Sequence, residues 1–357
     1  MRNFAVESAG KVSHYDHIFI TVCVLLTGAG LVTLYSASYA FADRWFGNKT
    51  HFLTRQIGLA AMGFLCFFVA SRIKTALLKA AVMPLVLLSM ILCGIPFVPG
   101  LGVTLNEATR WIKIGSYTFQ PSEFVKITLP LYLAYIFDKK KDKLDDFRNS
   151  ILPPILVTLI FVMLVYFQND FSTAIFIAIN SLAIFFVTGV RMRYFLCAFI
   201  MLIPVSTLLV MTKEHRLLRV MSFLHPEFDP QGAGFQVASS LLTIASGGLW
   251  GKGLGQGVRK IASVPEIHSD FIFASFAEES GFIGALLFLV CFFIFALQGY
   301  RIAFRTQNTF KRLLAFALVT SIISQTFMNL AVAAGAIPAT GVPLPFFSAG
   351  GSSLLMT

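Results

Sequence analysis

Ser280–Tyr300 reads SGFIGALLFLVCFFIFALQGY and contains no charged residue. A helix that crosses a bilayer needs roughly 20 predominantly apolar residues, so this stretch is predicted to span a membrane. Outward from it the same pattern recurs near 17–39, 54–71, 75–97, 122–137, 151–168, 170–189, 193–212 and 313–335, and a tenth such segment begins near 349. The chain has 57% hydrophobic and only 13% charged residues, with 38 phenylalanines. That balance excludes a soluble globular domain. The expected fold is an all-α polytopic membrane protein of about ten transmembrane helices, forming one integral membrane domain over residues 1–357. The first span is too long and too internal for a cleaved signal peptide. Thr357 falls a few residues into the tenth segment, so that helix is expected to be incomplete.

Charge sets the expected orientation. Arg72, Lys74, Lys79, the basic residues of 139–148, Arg191, Arg193, Arg301, Arg305, Lys311 and Arg312 all fall on short connections of one side. Basic residues accumulate on cytoplasmic loops, which places the N-terminus in the cytoplasm. The net charge of +11 is then mainly a topology signal. Nucleic acid is not an expected partner, because no basic soluble face is present. Cys23, Cys66, Cys93, Cys197 and Cys291 all lie in spans without metal-ligand spacing and read as small packing residues.

Two loops on the opposite, outer side carry the informative polar residues. In 98–121, apolar and polar residues alternate from Arg110 to Phe119, which predicts a small hairpin-like element. It runs into Gln120-Pro121-Ser122-Glu123, a helix start. Glu123 and Lys126 share a helix face at a spacing of three. They read either as a capping Glu with a local ion pair or as a charged pair lining an outward-facing cavity. The second loop, 213–279, is too long to be a passive connection. It opens with a polar stretch containing Arg216 and Arg219. Residues 234–249 are too short and polar to span, and are expected to form a re-entrant or interfacial helix. The run Gly247–Gly257 matches no nucleotide-binding loop. Its glycines are expected to let backbone approach backbone or a headgroup. Lys252, Arg259 and Lys260 beside it read as a phosphate cradle or as headgroup anchors.

The same loop contains Val264–Phe273, VPEIHSDFIF. Here a carboxylate and an imidazole sit against apolar residues at the bilayer edge, where charge is costly and usually functional. Asp270 is the candidate catalytic residue. His268, with an unperturbed pKa near neutrality, is a second proton carrier or a substrate-orienting group. Glu278 and Glu279 are expected at the outer start of the next helix, where dipole compensation accounts for at least one of them. Asp170 has the same reading at the sixth span.

Together these pieces resemble the SEDS family (shape, elongation, division and sporulation), polytopic peptidoglycan glycosyltransferases typified by FtsW and RodA. The matching residues are Arg110-Trp111, Phe119 to Glu123 with Lys126, Gln168 with Asp170 and Thr173, Gly232 to Gln236, the Gly247–Gly257 run, Pro265-Glu266, His268 to Ala274, and Glu278 to Gly281. Near the end they are Asn329, Gly335, Pro338, Thr340-Gly341, Pro343 to Phe346 and Ser348 to Ser353. Leu34 to Ser38, His51-Phe52 and Arg55-Gln56 are similar to the division member rather than the elongation one. Two positions depart from the family pattern: Asn169 stands where Pro is usual, and Ala349 where Tyr is frequent.

The resemblance implies a polymerase of lipid II on the outer leaflet of the bacterial plasma (inner) membrane, serving septal cell-wall synthesis. A sugar 4-hydroxyl would attack the donor's anomeric carbon with inversion, and polyprenyl pyrophosphate would leave. Asp270 would accept the hydroxyl proton. Arg110, Lys126, Lys252, Arg259 and Lys260 would stabilise the pyrophosphate, with Glu123 and His268 among the substrate-binding groups. A divalent cation, Mg or Mn, would be held by Glu123 or Asp270; no dedicated metal cage is visible. Implied partners are a class B penicillin-binding transpeptidase and other divisome membrane proteins. The alternatives are an elongation polymerase, a lipid II flippase and a non-catalytic divisome scaffold.

Overall fold

The computed structural model describes residues 16–105, 108–115, 117–225, 232–257 and 269–357. The expectations placed on Arg259, Lys260 and His268 lie outside the described residues. Within them the chain forms a helical bundle in which six helices are long and apolar enough to cross a membrane.

Helix α1 (His17–Phe46) is capped by Asp16, whose carboxylate accepts from the Phe19 N–H at 3.0 Å, and it ends at Gly47 in the left-handed conformation. It extends beyond the span expected at 17–39. α2 (His51–Arg72) and α3 (Thr75–Gly94) follow. The 98–121 segment folds into an antiparallel sheet of β1 (Gly102–Leu105), β2 (Ala108–Ile114) and β3 (Tyr117–Phe119), in the order β1-β2-β3. The alternation after Arg110 therefore forms the expected hairpin, β2–β3, and β1 adds a third strand. α4 (Pro121–Lys139) starts with proline at its first position, where no amide donor is needed. α5 (Leu152–Phe167), α6 (Phe171–Val187) and α7 (Met192–Met211) complete the first half.

The 213–279 segment is more helical than its sequence suggests. Its polar opening forms α8 (Glu214–Leu224). The short helix expected over 234–249 is α9 (Ala233–Ser246), and Ser240 Oγ donates to the Ala333 carbonyl at 2.9 Å. α10 (Ile272–Arg305) begins eight residues before Ser280 and is broken at Gly281, where φ is 66° and ψ is −168°. α11 (Thr309–Ala333) is capped by Asn308, and α12 (Gly351–Met356) closes the described chain.

Two apolar clusters hold the bundle. One joins α3, α4, α5, α6 and α11 around Leu129, Phe137, Phe161 and Ile184. The other joins α1, α10 and α11 to the 344–347 segment around Leu34, Phe288, Phe295 and Phe347. Large side chains such as Leu77, Ile91, Leu287 and Phe293 face outward, as expected where lipid replaces water as the solvent. The non-helical segment 337–350 runs inside the bundle. Irregular backbone is tolerated at membrane depth only where protein satisfies its polar groups. Here Gln325 Nε2 donates to the Pro343 carbonyl (2.9 Å), Asn329 Nδ2 to Val342 (2.9 Å) and Gln56 Nε2 to Ser348 (3.0 Å). Gly30 of α1 makes room for this segment: a Cβ there would lie 2.1 Å from the Phe346 carbonyl oxygen.

Candidate active site

Asp270 lies two residues before α10 and is half-buried, while Phe271 and Ile272 behind it are fully packed. Its backbone is held from α11, where Asn329 Nδ2 donates to the Asp270 carbonyl at 2.8 Å and to Val342 at 2.9 Å. Ser348 Oγ donates to the Ser269 carbonyl at 2.5 Å and accepts from the Leu344 N–H at 2.7 Å. Two side chains therefore tie residues 269–270 to the buried 342–348 segment. Ser269 Oγ donates to Asp270 Oδ1 at 3.0 Å. Gly341 faces the other oxygen, since a Cβ there would be 3.4 Å from Oδ2. The residue is thus held both through its backbone and through its neighbour Ser269.

A second group gathers around Asp170. This residue caps α6, accepting from the Thr173 N–H at 3.4 Å, so its dipole reading holds. It also pairs with Arg110 Nη1 at 3.2 Å and accepts from Gln120 Nε2 at 2.9 Å. Strand β2 thus delivers Arg110, stacked on Trp111 at 4.3 Å, to the start of α6. Arg216 of α8 lies over Tyr166 and Phe171 at 4.7 and 5.0 Å. Arg219, one turn further, is open to water yet crowded by protein. That crowding pushes its guanidinium below the ordinary arginine value, Arg110 pushes the same way, and the carboxylates of Asp270 and Asp170 pull it back. Arg110, Asp170, Arg216 and Asp270 therefore all lie within electrostatic reach of Arg219.

Glu123 and Lys126 form an ion pair at 2.7 Å, buried within the bundle, with side chains only 5% and 7% exposed. Lys126 Nζ also donates to Gln325 Oε1 at 3.1 Å and lies over the Phe176 ring at 5.1 Å. The pair bridges α4 to α11 and, through Gln325, to the 343 segment. Lys126 neutralises the Glu123 carboxylate through Oε1. Among the described residues no group of three or more His, Cys, Asp or Glu could hold one.

The dipole reading of Glu278 and Glu279 does not survive. Both are buried beside the break in α10, at 0% and 4% exposure. Lys252 Nζ meets Glu278 Oε1 at 3.1 Å, and Ser246 Oγ donates to it at 3.3 Å. Ser36 Oγ of α1 donates to Glu279 Oε1 at 2.5 Å, and the Gly255 N–H at 3.2 Å. The glycine run explains the break. The N–H groups of Lys252 and Gly253 donate to the Glu278 and Glu279 carbonyls, while those of Phe282 and Ile283 donate to Gly248 and Leu249. The break leaves four backbone groups without helical partners, and the loop satisfies them. Lys252 is therefore part of this joint, and the glycines serve backbone-to-backbone approach.

The profile of the FtsW, RodA and SpoVE family of cell cycle proteins matches residues 16–357. The chain belongs to this family. It is 37% identical over 347 residues to a probable peptidoglycan glycosyltransferase FtsW of Geobacter sulfurreducens, covering 97% of this chain and 93% of the relative. It is 33% identical to the stage V sporulation protein E of Bacillus subtilis, covering 97% and 94%. Among solved structures it resembles a chain of a peptidoglycan synthase complex that coordinates polymerization and crosslinking, with a TM-score of 0.81, 27% identity and coverage of 96% and 94%. It also resembles the rod shape determining protein RodA of Thermus thermophilus, with a TM-score of 0.70, 26% identity and coverage of 97% and 94%.

Within this member of the FtsW, RodA and SpoVE family, the structure pairs Arg110 with Asp170 and places Lys126 with Glu123 inside the bundle. It places Lys252 on Glu278. Sequence reasoning missed Arg216 and Arg219 as site residues. Their spacing of three on a stretch that alternates apolar and basic residues is the signal of one basic helix face.

Proposed function

We propose that this protein is a peptidoglycan glycosyltransferase that polymerises lipid II on the outer face of the bacterial plasma membrane, during septal wall synthesis. The N-terminus is cytoplasmic in this reading, and the Asp270 end of the bundle faces outward. The observation that carries it is Asp270 itself, a half-buried carboxylate whose carbonyl is held by Asn329 and whose neighbour Ser269 is held by Ser348, within electrostatic reach of Arg219. A glycosyl acceptor hydroxyl needs a base within hydrogen-bond reach. A departing pyrophosphate needs preorganised cations, and guanidiniums recognise phosphate oxygens in pairs. Asp270 takes the proton from the acceptor 4-hydroxyl as its oxygen attacks the anomeric carbon. The bond to the pyrophosphate oxygen breaks on the opposite face, which inverts the centre. Arg110 and Arg219 take up the charge released there.

Asp270 would hold a magnesium or manganese ion, a hard cation that takes oxygen ligands. It would add Lewis-acid stabilisation of the leaving group. A class B penicillin-binding transpeptidase and other divisome membrane proteins are the proposed partners. The match to a peptidoglycan synthase complex supports the transpeptidase.

The break in α10 and its two buried carboxylates favour the flippase alternative, because transporters bind cargo at broken helices. Here, however, the broken backbone is satisfied by the glycine loop. One experiment separates the two. The purified protein with its transpeptidase partner is given lipid II, and polymer formation is compared with Asp270→Asn. Polymer from the wild type alone supports the reading. Equal polymer from both removes Asp270 as the base, and lipid II movement across vesicles without polymer favours the transporter.

A further inference from the structure

Asp270 takes its position from a segment whose own backbone is strained. Residues 342–348 supply the Val342 carbonyl, to which Asn329 ties the Asp270 carbonyl, and the Ser348 hydroxyl, which donates to Ser269. Within that segment Phe346 has a φ of 66°. The left-handed region is unfavourable for a bulky side chain and persists only where the surroundings over-determine the backbone. The rings of Phe292 and Phe295 pack on Phe346 with centroids 6.2 and 5.9 Å away. Packing alone, however, does not fix the hydrogen-bonding groups that reach Asp270.

Two buried glutamines grip those groups' backbone. Gln56 of α2, 4% exposed, donates through Nε2 to the Ser348 carbonyl at 3.0 Å. Gln325 of α11, 5% exposed, donates through Nε2 to the Pro343 carbonyl at 2.9 Å. The Gln325 amide has only one way round. Lys126 Nζ meets its other end, Oε1, at 3.1 Å, and an ammonium only donates. The Glu123 carboxylate, 2.7 Å from Nζ, keeps that charge in place. The ion pair therefore turns the amide N–H groups toward Pro343. One helical turn along the same face of α11, Asn329 takes the adjacent Val342 carbonyl and Asp270.

We propose that Gln325 and Gln56 are positioning residues for Asp270. They fix the 342–348 segment at Pro343 and at Ser348, and so set where the carboxylate stands. This rests on the proposed function, with Asp270 as the base, and it gives the Glu123–Lys126 pair the task of orienting the Gln325 amide. A displacement of about 1 Å at a reacting group costs up to roughly a hundredfold in rate, whereas the affinity for substrate does not depend on the base.

The test is polymerisation of lipid II by the full-length protein with its transpeptidase partner. Gln325→Met and Gln56→Met keep the side-chain length and remove the donor. Each should lower kcat about tenfold and leave KM for lipid II nearly unchanged. Gln325→Asn and Gln56→Asn, whose amides stay polar but fall short of the carbonyls, should give the same result in protein that keeps a polar group at each site. Each variant is then combined with Asp270→Asn. Groups that act as a unit are not additive, so the double variants should be no slower than Asp270→Asn alone. Amide hydrogen exchange over 342–348 should rise in the single variants. Full kcat in the glutamine variants, a loss confined to KM, or a further loss on top of Asp270→Asn overturns the proposal and leaves Asp270 as the base. Asp270→Asn that polymerises like wild type removes the base, and the positioning role with it.

Discussion

At the scale of single residues, Asp270 is held through its carbonyl by Asn329 and through its neighbour Ser269 by Ser348. Asp270→Asn keeps the shape and every backbone bond but removes the base, so polymerisation should fall roughly a hundredfold or more, with the melting temperature unchanged. Asn329 holds the Asp270 and Val342 carbonyls together. Asn329→Leu leaves both without that donor, at about 1 kcal/mol for each bond. A modest drop in melting temperature should accompany a large drop in kcat, while KM for lipid II changes little; a change confined to KM would contradict a positioning role. The Glu123–Lys126 pair behaves differently because it is buried. Lys126→Met strands a carboxylate and should destabilise by ~3–5 kcal/mol, whereas adding Glu123→Gln should recover much of the loss. Thermal melting of the two variants in one detergent decides it.

Among the elements, the joint between α10 and the glycine loop is the most constrained. Gly281 has backbone angles reserved for glycine, and a Cβ there would sit 2.2 Å from the Gly251 nitrogen. At Gly251 a Cβ would sit 2.1 Å from the Glu279 carbonyl oxygen. Gly248 also has positive φ (+57°) but has nothing within 4 Å of its missing Cβ. Gly251→Ala and Gly281→Ala should therefore abolish a monodisperse folded protein. Gly248→Asn, at a left-handed position asparagine tolerates, should cost less than about 1 kcal/mol. Size-exclusion profiles of the three variants check this, and similar behaviour of all three would contradict the close packing of loop on helix.

For the molecule as a whole, basic residues collect at the end opposite Asp270. Green fluorescent protein fused after Lys143 should fluoresce, and alkaline phosphatase fused after Gly115 should be active. The reverse pattern would invert the orientation and remove the substrate face from the outside. The exposed apolar side chains that surround the bundle leave room for a partner's membrane helix. Which of them it covers depends on the complex.

The helical, membrane-spanning character, the β2–β3 hairpin and the Glu123–Lys126 contact were legible in the sequence, because each follows from composition, periodicity or local spacing. The same local logic misread Glu278 and Glu279. A run such as SGFIGALLFLV looks like a helix start after polar residues, and only the glycine loop packed against it shows that the helix begins earlier and breaks there. The gathering of Arg110, Asp170, Arg216 and Asp270 around Arg219 was likewise invisible. These residues come from a strand, a short helix, a helix cap and the start of a broken helix, as many as 160 positions apart. Sequence alone determined what the chain is dissolved in, since that depends on transfer free energies that add along the chain. Tertiary structure decided which carboxylates are buried in ion pairs and in the joint of a broken helix, since burial and hydrogen bonding depend on neighbours distant in sequence.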